Sequence, residues 1–393
     1  MSESQDARFH RKPWKVDWFN PELEHRKYRK MFREDADYAE EVTLYFGDVH
    51  KHTNLSPCGN VNPFNQSPEE SYAYARETAG TDFLAICDHA ERLTDRQWAE
   101  SMRIAEAHNA PGTFVAWPAV EWASRLHGHR NIYYRGYDAP RISGEAYPTP
   151  RALWAALHEL DTPALTIPHH AARELLADLT CTDDALEPAY EIYSGWGNEE
   201  YYGAPLQDTD RCFTRNFAVD TLLRGYRMGF VGGGDGHPAP PAESGVTGIY
   251  APDLSLGSLF DALKHRRTIA TTGAKIQVDV HVNGFPIGSV LRFSQRDVDA
   301  LFPLTIGVAV QGTAPLEKVE IVENGVTVHV KTKPRARLDQ MAYTWYREAR
   351  PSNGPHVGQP PGNVSRFIYV RVTQRDGHMA WTSPIWLDFY YDE

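Results

Sequence analysis

The sequence predicts an α/β fold, with a barrel-like domain at residues 41–274 followed by a β-sandwich domain at residues 275–393. Strand-like and helix-like segments alternate in the first part, which is typical of a parallel sheet with helices packed outside. In the second part apolar residues alternate at strand period, and no helical period is present. Residues able to bind metals follow several strands of the first part, where barrel enzymes have their active sites.

Local signals place the elements of the barrel-like domain in order. Ser67-Pro68-Glu69-Glu70 combines an N-cap, a proline at the first helical position and a capping-box acid, and Thr94-Asp95-Arg96-Gln97 is a second capping box. Thr149-Pro150 begins a third helix, and two more are predicted near residues 219–224 and 256–266. Predicted strands cover residues 43–49, 83–87, 114–120, 131–135, 164–167, 190–193, 229–231 and 268–270.

Turn signals organise the β-sandwich domain. Asn324-Gly325 lies between two apolar runs, a pattern typical of a tight hairpin, and Asp376-Gly377 suggests another. Residues 331–361, rich in proline, glycine and charge, are predicted to form a long excursion. This domain has no constellation of ligand or nucleophile residues, so we expect it to serve packing or a partner.

Composition and charge limit the classes of function. The apolar fraction of 41% is enough for a sizeable core, and the net charge of −12 disfavours nucleic acid and anionic membrane surfaces as partners. No stretch approaches the roughly 20 apolar residues of a membrane span. The N-terminus lacks the features of a signal peptide, and the four cysteines lack Cys-x-x-Cys spacing. We therefore expect a cytoplasmic protein that acts on a small-molecule substrate.

Residues 1–40 are predicted to form an N-terminal arm. Aromatic side chains such as Trp14 and Trp18 are spread among many charges there. The simpler interpretation is that the arm packs on its own barrel. The alternative is a homo-oligomer in which the arm or the β domain contacts a second subunit.

Histidine and acidic residues follow the apolar strands in five clusters. One His-x-His pair would be weak evidence, because residues at this spacing share a face of any strand. Five clusters at the same structural position are stronger evidence, because the carboxyl ends of barrel strands meet at one rim. The clusters are His50-Lys51-His52, Asp88-His89, Glu121 with His127 and His129, His169-His170, and Asp235-Gly236-His237.

The order of these motifs resembles that of the PHP (polymerase and histidinol phosphatase) superfamily. The motifs are Gly47-Asp48-Val49-His50-Lys51-His52-Thr53 with Ser56, Asp88-His89, Glu121, Pro168-His169 and Asp235-x-His237. The resemblance covers residues 41–273 and implies a distorted (β/α)7 barrel that binds two or three divalent metal ions (Zn, Mn or Fe). The strand ending at Thr271-Thr272-Gly273 and the β domain are similar to a branch that includes carbamate-ester hydrolases.

The resemblance also implies a set of metal ligands. The first metal would have four ligands, which are His50, His52, Glu121 and Asp235. The second would share Glu121 and add His129 and His169. The third would have His89 and His237, with Cys58 where the family carries a loop histidine; a thiolate can bind zinc.

Two of these assignments have close competitors. His127 competes with His129, and His170 with His169. If His169 is the ligand, His170 is left as a substrate-binding or proton-transfer residue. Asp48 and Asp88 are interpreted as carboxylates that orient histidines.

The expected activity is hydrolysis of an ester-type bond by metal-bound hydroxide. Two ions bridged by Glu121 would lower the pKa of a shared water and polarise the scissile oxygen. His170, or His89, could protonate the leaving group. No Gly-x-Ser-x-Gly elbow is present, which argues against a serine hydrolase.

Three hypotheses about function remain. A third metal would suit a phosphoester, which is slightly favoured. Arg92, Arg125 and Arg130 lie near the predicted ligands and could bind phosphate, but equally could pair with the many acidic residues. The branch resemblance and the aromatic loops favour a carbamate or carboxyl ester. A non-catalytic, metal-stabilised binding module would instead have a closed metal shell.

Overall fold

The computed structural model describes residues 42–56, 66–173, 177–213, 216–235, 240–294, 303–332, 339–348 and 363–390. The predicted arm of residues 1–40 and the predicted ligands Cys58 and His237 lie outside the described residues. In the described part the fold is mixed α/β, with several sheets and few helices. No helix in that part is long and apolar enough to cross a membrane.

Between residues 42 and 271, the described segments contain five α-helices and ten strands. The helices are α1 (Pro68–Glu77), α2 (Asp95–His108), α3 (Pro150–His158), α4 (Ala218–Leu223) and α5 (Leu256–Lys264). The strands are β1 (Thr43–Lys51), β2 (Phe83–Ile86), β3 (Val115–Ser124), β4 (Gly128–Tyr134), β5 (Ala164–Pro168), β6 (Ala189–Ser194), β7 (Gly197–Asn198), β8 (Gly229–Gly232), β9 (Val246–Ala251) and β10 (Thr268–Thr271).

In the described residues after 276, all regular elements are strands. They are β11 (Gln277–Val282), β12 (Phe285–Pro286), β13 (Val290–Ser294), β14 (Pro303–Gln311), β15 (Leu316–Glu323), β16 (Val326–Thr332), β17 (Gln340–Glu348), β18 (Asn363–Gln374), β19 (Met379–Thr382) and β20 (Ile385–Tyr390). The strand-only character predicted for this region is confirmed. The domain boundary at residues 274–275 stays a prediction.

The predicted helix starts at Ser67, Thr94 and Thr149 are confirmed. Ser67 and Glu70 exchange hydrogen bonds between side chain and backbone at the start of α1, and Thr94 and Gln97 do the same at α2. Thr149 caps α3 with its hydroxyl. Each cap satisfies a backbone N–H that has no partner within the helix, which stabilises the helix by about 1 kcal/mol.

The strands of the first part form mixed sheets, whereas strand–helix alternation predicts a parallel one. β1, β2 and β3 are parallel, but β9 pairs antiparallel with β1, and β4 lies antiparallel between β3 and β5. β6 and β8 pair in parallel in a separate sheet with β7. The alternation fails at β3 and β4, because a short turn joins them into a hairpin. The mixed α/β class is established, and the seven-stranded barrel stays a prediction.

Strand β9 is not predicted by the sequence pattern, because Gly248 interrupts its apolar run. A Cβ at Gly248 would lie 2.7 Å from a side-chain carbon of Ile269 and 2.9 Å from one of Phe46. The glycine therefore allows β9 to pack closely between its neighbours β1 and β10.

The strand directions bring the ligand-bearing segments to one edge. The carboxyl ends of β1, β2 and β3 meet there because these strands are parallel. β4 runs the other way, so its first residues lie at the same edge, where His129 pairs with Ala123 near the end of β3. After β8, the backbone N–H of Asp235 donates to the carbonyl of His50 at 2.8 Å. The chain thus returns to this edge from both sheets.

One sheet continues from the first part into the second. β10 pairs antiparallel with β19, from Ile269 opposite Thr382 to Thr271 opposite Ala380. β18, β20 and β13 extend the sheet beyond β19, and β15 and β16 branch from β18. The predicted hairpins are confirmed: β15 and β16 flank Asn324 and Gly325, which both have positive φ, and β18 pairs with β19.

The excursion predicted at residues 331–361 is wrong for residues 340–348. There β17 pairs with β14 along its whole length, in a sheet that also contains β11 and β12. Met341 is buried in this sheet. The alternation of Met341, Tyr343 and Trp345 is strand-like, but prolines and charges on both sides of it obscure the pattern.

Candidate metal centre

All of the predicted site residues that the structure describes converge in one cluster. His50 and His169 are fully buried, and Glu121 is 1% exposed. The cluster comprises His50, His52, His89, Glu121, His129, His169, His170 and Asp235. These residues come from five separate segments, so the strand order and not sequence proximity brings them together.

Glu121 lies at the centre of the cluster. Its Oε1 is 2.6 Å from His129 Nδ1 and 3.1 Å from His169 Nε2. Its Oε2 is 3.2 Å from both His52 Nε2 and His89 Nδ1. Burial raises the pKa of Glu121, but the neighbouring histidines, led by His89 and His129, lower it more, so the pKa lies well below its ordinary value. An ionised carboxylate therefore has imidazoles on both sides.

Asp235 forms the second acidic position. Its Oδ1 is 3.6 Å from His50 Nε2 and 3.5 Å from His52 Nε2, and its Oδ2 is 3.8 Å from His170 Nε2. The Nε2 atoms of His50 and His52 are only 3.2 Å apart. If this contact is a hydrogen bond, one of the two rings must carry a proton on Nε2. If both nitrogens are metal ligands, their lone pairs face a shared cation.

The donor atoms form three overlapping groups in which all ligand atoms lie within 4.8 Å of one another. The groups are Glu121/His129/His169/His170, His50/His169/Asp235 and His50/His52/Glu121. Imidazole nitrogens with carboxylate oxygens are the donor set of Zn, Mn and Fe sites. The residues present thus fit divalent metal ions, and Glu121 belongs to two groups, as a bridging carboxylate would.

Two histidines of the cluster have strongly lowered pKa values. Burial lowers the pKa of His89 to about 3. Burial, and then the neighbouring His169, lower the pKa of His170 well below its ordinary value. Both rings therefore favour the neutral form, which is the form that binds metals.

The structure distinguishes one competing pair of histidines. His129 contacts Glu121, whereas His127 Nδ1 lies 2.8 Å from Asp178 Oδ2 outside the cluster. His169 and His170 both lie inside it, with ring centres 4.3 Å apart. The geometry therefore places His129 and not His127 in the cluster, together with both His169 and His170.

Two cluster residues have strained backbones. His170 has φ 34° and Asp235 has φ 43°, values that non-glycine residues seldom adopt. Such conformations cost of order 1–3 kcal/mol and occur most often at functional sites. Backbone hydrogen bonds hold both positions, because the N–H of Asp235 donates to the carbonyl of His50 and the carbonyl of His170 accepts from the N–H of Arg173.

Asp48 and Asp88 act on the backbone of the ligand loops, not on the histidine rings as the sequence predicts. Asp48 accepts hydrogen bonds from the backbone N–H groups of His50 at 2.9 Å and Gly234 at 2.8 Å. Asp88 accepts from the backbone N–H of Thr53 at 2.7 Å and from its hydroxyl at 2.6 Å. Asp48 thus joins the end of β1 to the loop after β8.

Glu191 is a site residue that the sequence reasoning misses. Its Oε2 lies 3.0 Å from His50 Nδ1, and its Oε1 has no hydrogen-bond partner among the described residues. A Cβ at Gly233 would lie 2.5 Å from that Oε2 and 2.6 Å from His50 Cβ, so the glycine makes room for the pair. When His50 Nδ1 donates to Glu191, the Nε2 lone pair faces the cluster. The sequence signal that could have found Glu191 is an acidic residue inside the otherwise apolar strand β6.

Comparison with protein families gives a partial match of unknown function. A family model described as "Protein of unknown function (DUF3604)" matches residues 77–174. This range includes His89, Glu121, His129, His169 and His170. The matched segment therefore contains five of the eight cluster residues, and the description of the family gives no activity.

The similar curated proteins are uncharacterized. One from Chlamydia pneumoniae is 33% identical over 345 residues, which is 81% of this chain and 54% of that protein. One from Chlamydia muridarum is 30% identical over 252 residues, 59% of this chain and 39% of that protein. The chain spans about half, or less, of the length of these relatives.

Two solved structures show remote likeness. A two-domain protein from Bacteroides vulgatus, described as containing a predicted PHP-like metal-dependent phosphoesterase, has a TM-score of 0.39 and 12% identity, covering 90% of this chain and 98% of its own. An engineered protein has a TM-score of 0.24 and 10% identity, covering 87% of both chains. Likeness at these TM-scores carries no argument about this chain.

Proposed function

We propose that this protein is a metal-dependent hydrolase that cleaves an ester-type bond, with a phosphoester as the favoured substrate class. The observation that supports this most directly is the environment of Glu121. Its two carboxylate oxygens lie between 2.6 and 3.2 Å from four imidazole nitrogens. A carboxylate with imidazoles on both sides is suited to bridging two divalent ions, the arrangement of many two-metal hydrolases.

Ions bound in the cluster would lower the pKa of a water molecule and polarise the scissile oxygen. The contribution of the chain itself is position. Glu121 would set the separation of the ions, Glu191 fixes the ring of His50, and Asp48 ties together the two loops that carry His50 and Asp235. Burial of the cluster strengthens its electrostatic interactions, because little water screens them.

The role of His89 and His170 is proposed from their position. His89 Nδ1 contacts Glu121 Oε2 at 3.2 Å, and His170 Nε2 faces Asp235 Oδ2 at 3.8 Å. His89 is therefore proposed as a ligand. The longer distance of His170 leaves it free either to complete a metal shell or to exchange a proton with the leaving group.

A carbamate or carboxyl ester is the second candidate substrate. Tyr202, Leu206 and Phe213 are exposed on the segment after β7. The backbone N–H of Phe213 donates to the carbonyl of Ala172 at 2.9 Å, so this segment borders the loop of the cluster histidines. Apolar side chains at that border favour an aromatic or aliphatic leaving group, which carbamates and carboxyl esters often have.

The test is to assay metal-loaded protein against three substrates in parallel. Protein purified without chelators is analysed for metals and loaded with Mn²⁺ or Zn²⁺. It is then assayed with p-nitrophenyl phosphate, bis(p-nitrophenyl) phosphate and naphthyl carbamate. We expect a phosphoester to be cleaved fastest. Faster cleavage of the carbamate would replace the favoured substrate class with the second candidate.

Two outcomes would contradict the hydrolase proposal itself. Less than one equivalent of metal per chain, not restored by Mn²⁺ or Zn²⁺, would exclude the metal centre. A full complement of metal without turnover of any of the three esters would favour a metal-stabilised binding module, in which no coordination position is open to substrate.

A further inference from the structure

Arg173 follows the cluster residues His169 and His170 in the chain but belongs to none of the three ligand groups. Its backbone N–H donates to the carbonyl of His170 at 3.1 Å, which places it about one turn beyond the histidines after β5. Its guanidinium carbon is 5.9 Å from the ring centre of Trp196. Trp196 follows Gly195, whose N–H donates to the carbonyl of Gly234 at 2.9 Å. The guanidinium therefore lies against the turn between β6 and β7, which is hydrogen-bonded to the segment that carries Asp235.

Arg173 is buried without the hydrogen bonds that a buried guanidinium normally has. Its side chain is 6% exposed, and its Nε lies 3.8 Å from Glu199 Oε1, too far for a hydrogen bond. Among the described residues, its side chain makes this ion pair with Glu199 and a contact with the Trp196 ring, and no hydrogen bond. Arg130, which is also buried, donates to Glu187 and to two backbone carbonyl groups. Arg173 thus has N–H donors left for a ligand.

Glu199 compensates the charge of Arg173 only in part. Its Oε2 accepts hydrogen bonds from the hydroxyl of Tyr190 at 2.7 Å and from the N–H of Ala172 at 3.3 Å. These bonds hold Oε2, while Oε1 faces Arg173 at 3.8 Å and has no hydrogen-bond partner among the described residues. Burial raises the pKa of Glu199 to about 7, so the carboxyl group is partly neutral near neutral pH.

Trp196 concentrates positive charge at this place. The guanidinium carbon of Arg211 lies 5.2 Å from the same indole centre that Arg173 contacts. Indole attracts both cations, but two like charges near one ring repel each other.

We infer that Arg173, held in place by Trp196, binds a phosphoryl group of the substrate beside the metal centre. A guanidinium presents paired N–H groups that match two phosphoryl oxygens, and stacking fixes its plane before the ligand arrives. This inference rests on the proposed hydrolase function and names the group of the substrate that the site recognises.

The arginines that the sequence suggests for phosphate binding are placed less favourably. Arg92 and Arg125 are exposed. Arg130 is engaged with Glu187 and lies 6.0 Å from the ring centre of Trp122. Among these four arginines, Arg173 combines burial, fixed position and unsatisfied donors.

The test measures binding of inorganic phosphate to Mn²⁺-loaded protein by titration calorimetry. Arg173→Met should weaken phosphate binding roughly ten- to hundred-fold, because a charge-assisted hydrogen-bond pair is lost. The phosphate affinity of Arg173→Lys should lie between those of wild type and Arg173→Met, because lysine keeps the charge but lacks the paired N–H groups. The matched control is Arg135→Met, which removes an exposed arginine paired with Asp261 and should bind phosphate like wild type. Metal content should be equal in all four proteins.

Phosphate affinity of Arg173→Met within about twofold of wild type, at full metal content, would overturn the inference. If Arg173→Met does not fold, Arg173→Lys decides by the same criterion. The Michaelis constant for p-nitrophenyl phosphate should rise in parallel, which separates recognition of the ester from binding of free phosphate alone.

Binding and turnover separate this inference from the proposed function. Weakened phosphate binding in a protein that cleaves no ester would sustain the anion site and reject the hydrolase. Unchanged phosphate binding in a protein that cleaves phosphoesters would sustain the hydrolase and reject the role of Arg173.

Discussion

Two buried glutamates of this protein have opposite surroundings. The carboxylate of Glu200 accepts hydrogen bonds from the Tyr369 hydroxyl at 2.6 Å, from Arg371 Nη1 at 2.7 Å and from Trp381 Nε1 at 2.8 Å. Its partners thus supply hydrogens and a permanent cation. Glu121 is instead surrounded by imidazoles, which are themselves Lewis bases when neutral.

If the proposed function holds, the difference separates a carboxylate that supports the fold from one that would hold metal ions. Burial raises the pKa of Glu200, and Arg371 partly counters this, so the protein alone provides what the carboxylate needs. The Glu121 cluster gathers electron-pair donors around a buried negative charge, an arrangement that a divalent cation completes. Removing Glu200 should therefore cost stability, whereas removing the charge of Glu121 should cost metal binding and activity.

The largest effect is expected for Glu121→Gln. A neutral amide cannot bridge two cations, so turnover should fall by on the order of 10³-fold or more and metal content should drop. The fold should remain, because the amide has nearly the size and shape of the carboxylate and can still hydrogen-bond to the surrounding imidazoles. Steady-state kinetics measures the turnover, elemental analysis measures the metal content, and circular dichroism measures whether the fold remains. Activity within a few-fold of wild type would remove the distinction between the two glutamates.

Glu200→Ala is the complementary change. Loss of one partner from a buried, hydrogen-bonded ion pair typically lowers the free energy of unfolding by about 3–5 kcal/mol, because Arg371 loses one of its two carboxylates. Urea denaturation measures this loss. Metal content of the folded protein should equal that of wild type. A stable Glu200→Ala protein that has lost its metal would show that both glutamates serve the centre.

Glu191→Gln sharpens the comparison at one ligand. Its carboxylate contacts His50 Nδ1 at 3.0 Å, and changes to such supporting residues typically cost 10- to 100-fold in metal affinity. Competition with a chelating dye measures the affinity. The control is Asp178→Asn, which alters the His127 pair outside the cluster and should leave metal affinity unchanged. Equal affinities in the two variants would assign Glu191 to packing alone.

The smallest effect is expected for Glu199, whose surroundings are intermediate between those of Glu200 and Glu121. Burial raises its pKa to about 7 from 4.5, so the folded state holds the proton more tightly than the unfolded state. Stability from this group is complete below the unfolded pKa and is lost as pH rises through the folded pKa. Glu199→Gln should therefore exceed wild type in stability by about 1–3 kcal/mol near pH 8, with a smaller gap near pH 5.

Urea denaturation at several pH values measures that gap. The amide oxygen that Glu199→Gln introduces can still accept the hydrogen bonds that Tyr190 and Ala172 donate to Glu199. A gap that stays constant with pH would show that Glu199 does not titrate in this range.

Local signals made parts of the fold predictable from sequence. Capping boxes at Ser67 and Thr94 and the Asn324-Gly325 turn act within a few residues, so their outcome depends little on the rest of the chain. β9 and β17 were not predictable in this way. The close packing that Gly248 permits, and the pairing that orders Met341, both depend on strands distant in sequence.

The candidate site likewise contains residues that the sequence predicts and residues that it does not. His50, His52 and Glu121 each come at the end of an apolar run, and such runs are visible in the sequence. Glu191 lies inside a strand and acquires its meaning only from His50, which is 141 residues away. The choice between His127 and His129 depended on the register of the β3–β4 hairpin, which a short turn sets after folding.

The pairing of β10 with β19 has a consequence for synthesis of the chain. Thr268 and Ser383, whose hydroxyls lie 2.8 Å apart beside this pairing, are 115 residues apart. At about 5–20 residues per second, a ribosome needs roughly 6–20 s to cover that interval. Throughout it, β10 is an open sheet edge and Glu200 lacks Trp381, which is 181 residues later. Chaperones that shield strand edges therefore have their greatest opportunity on the nascent chain before residue 382 emerges.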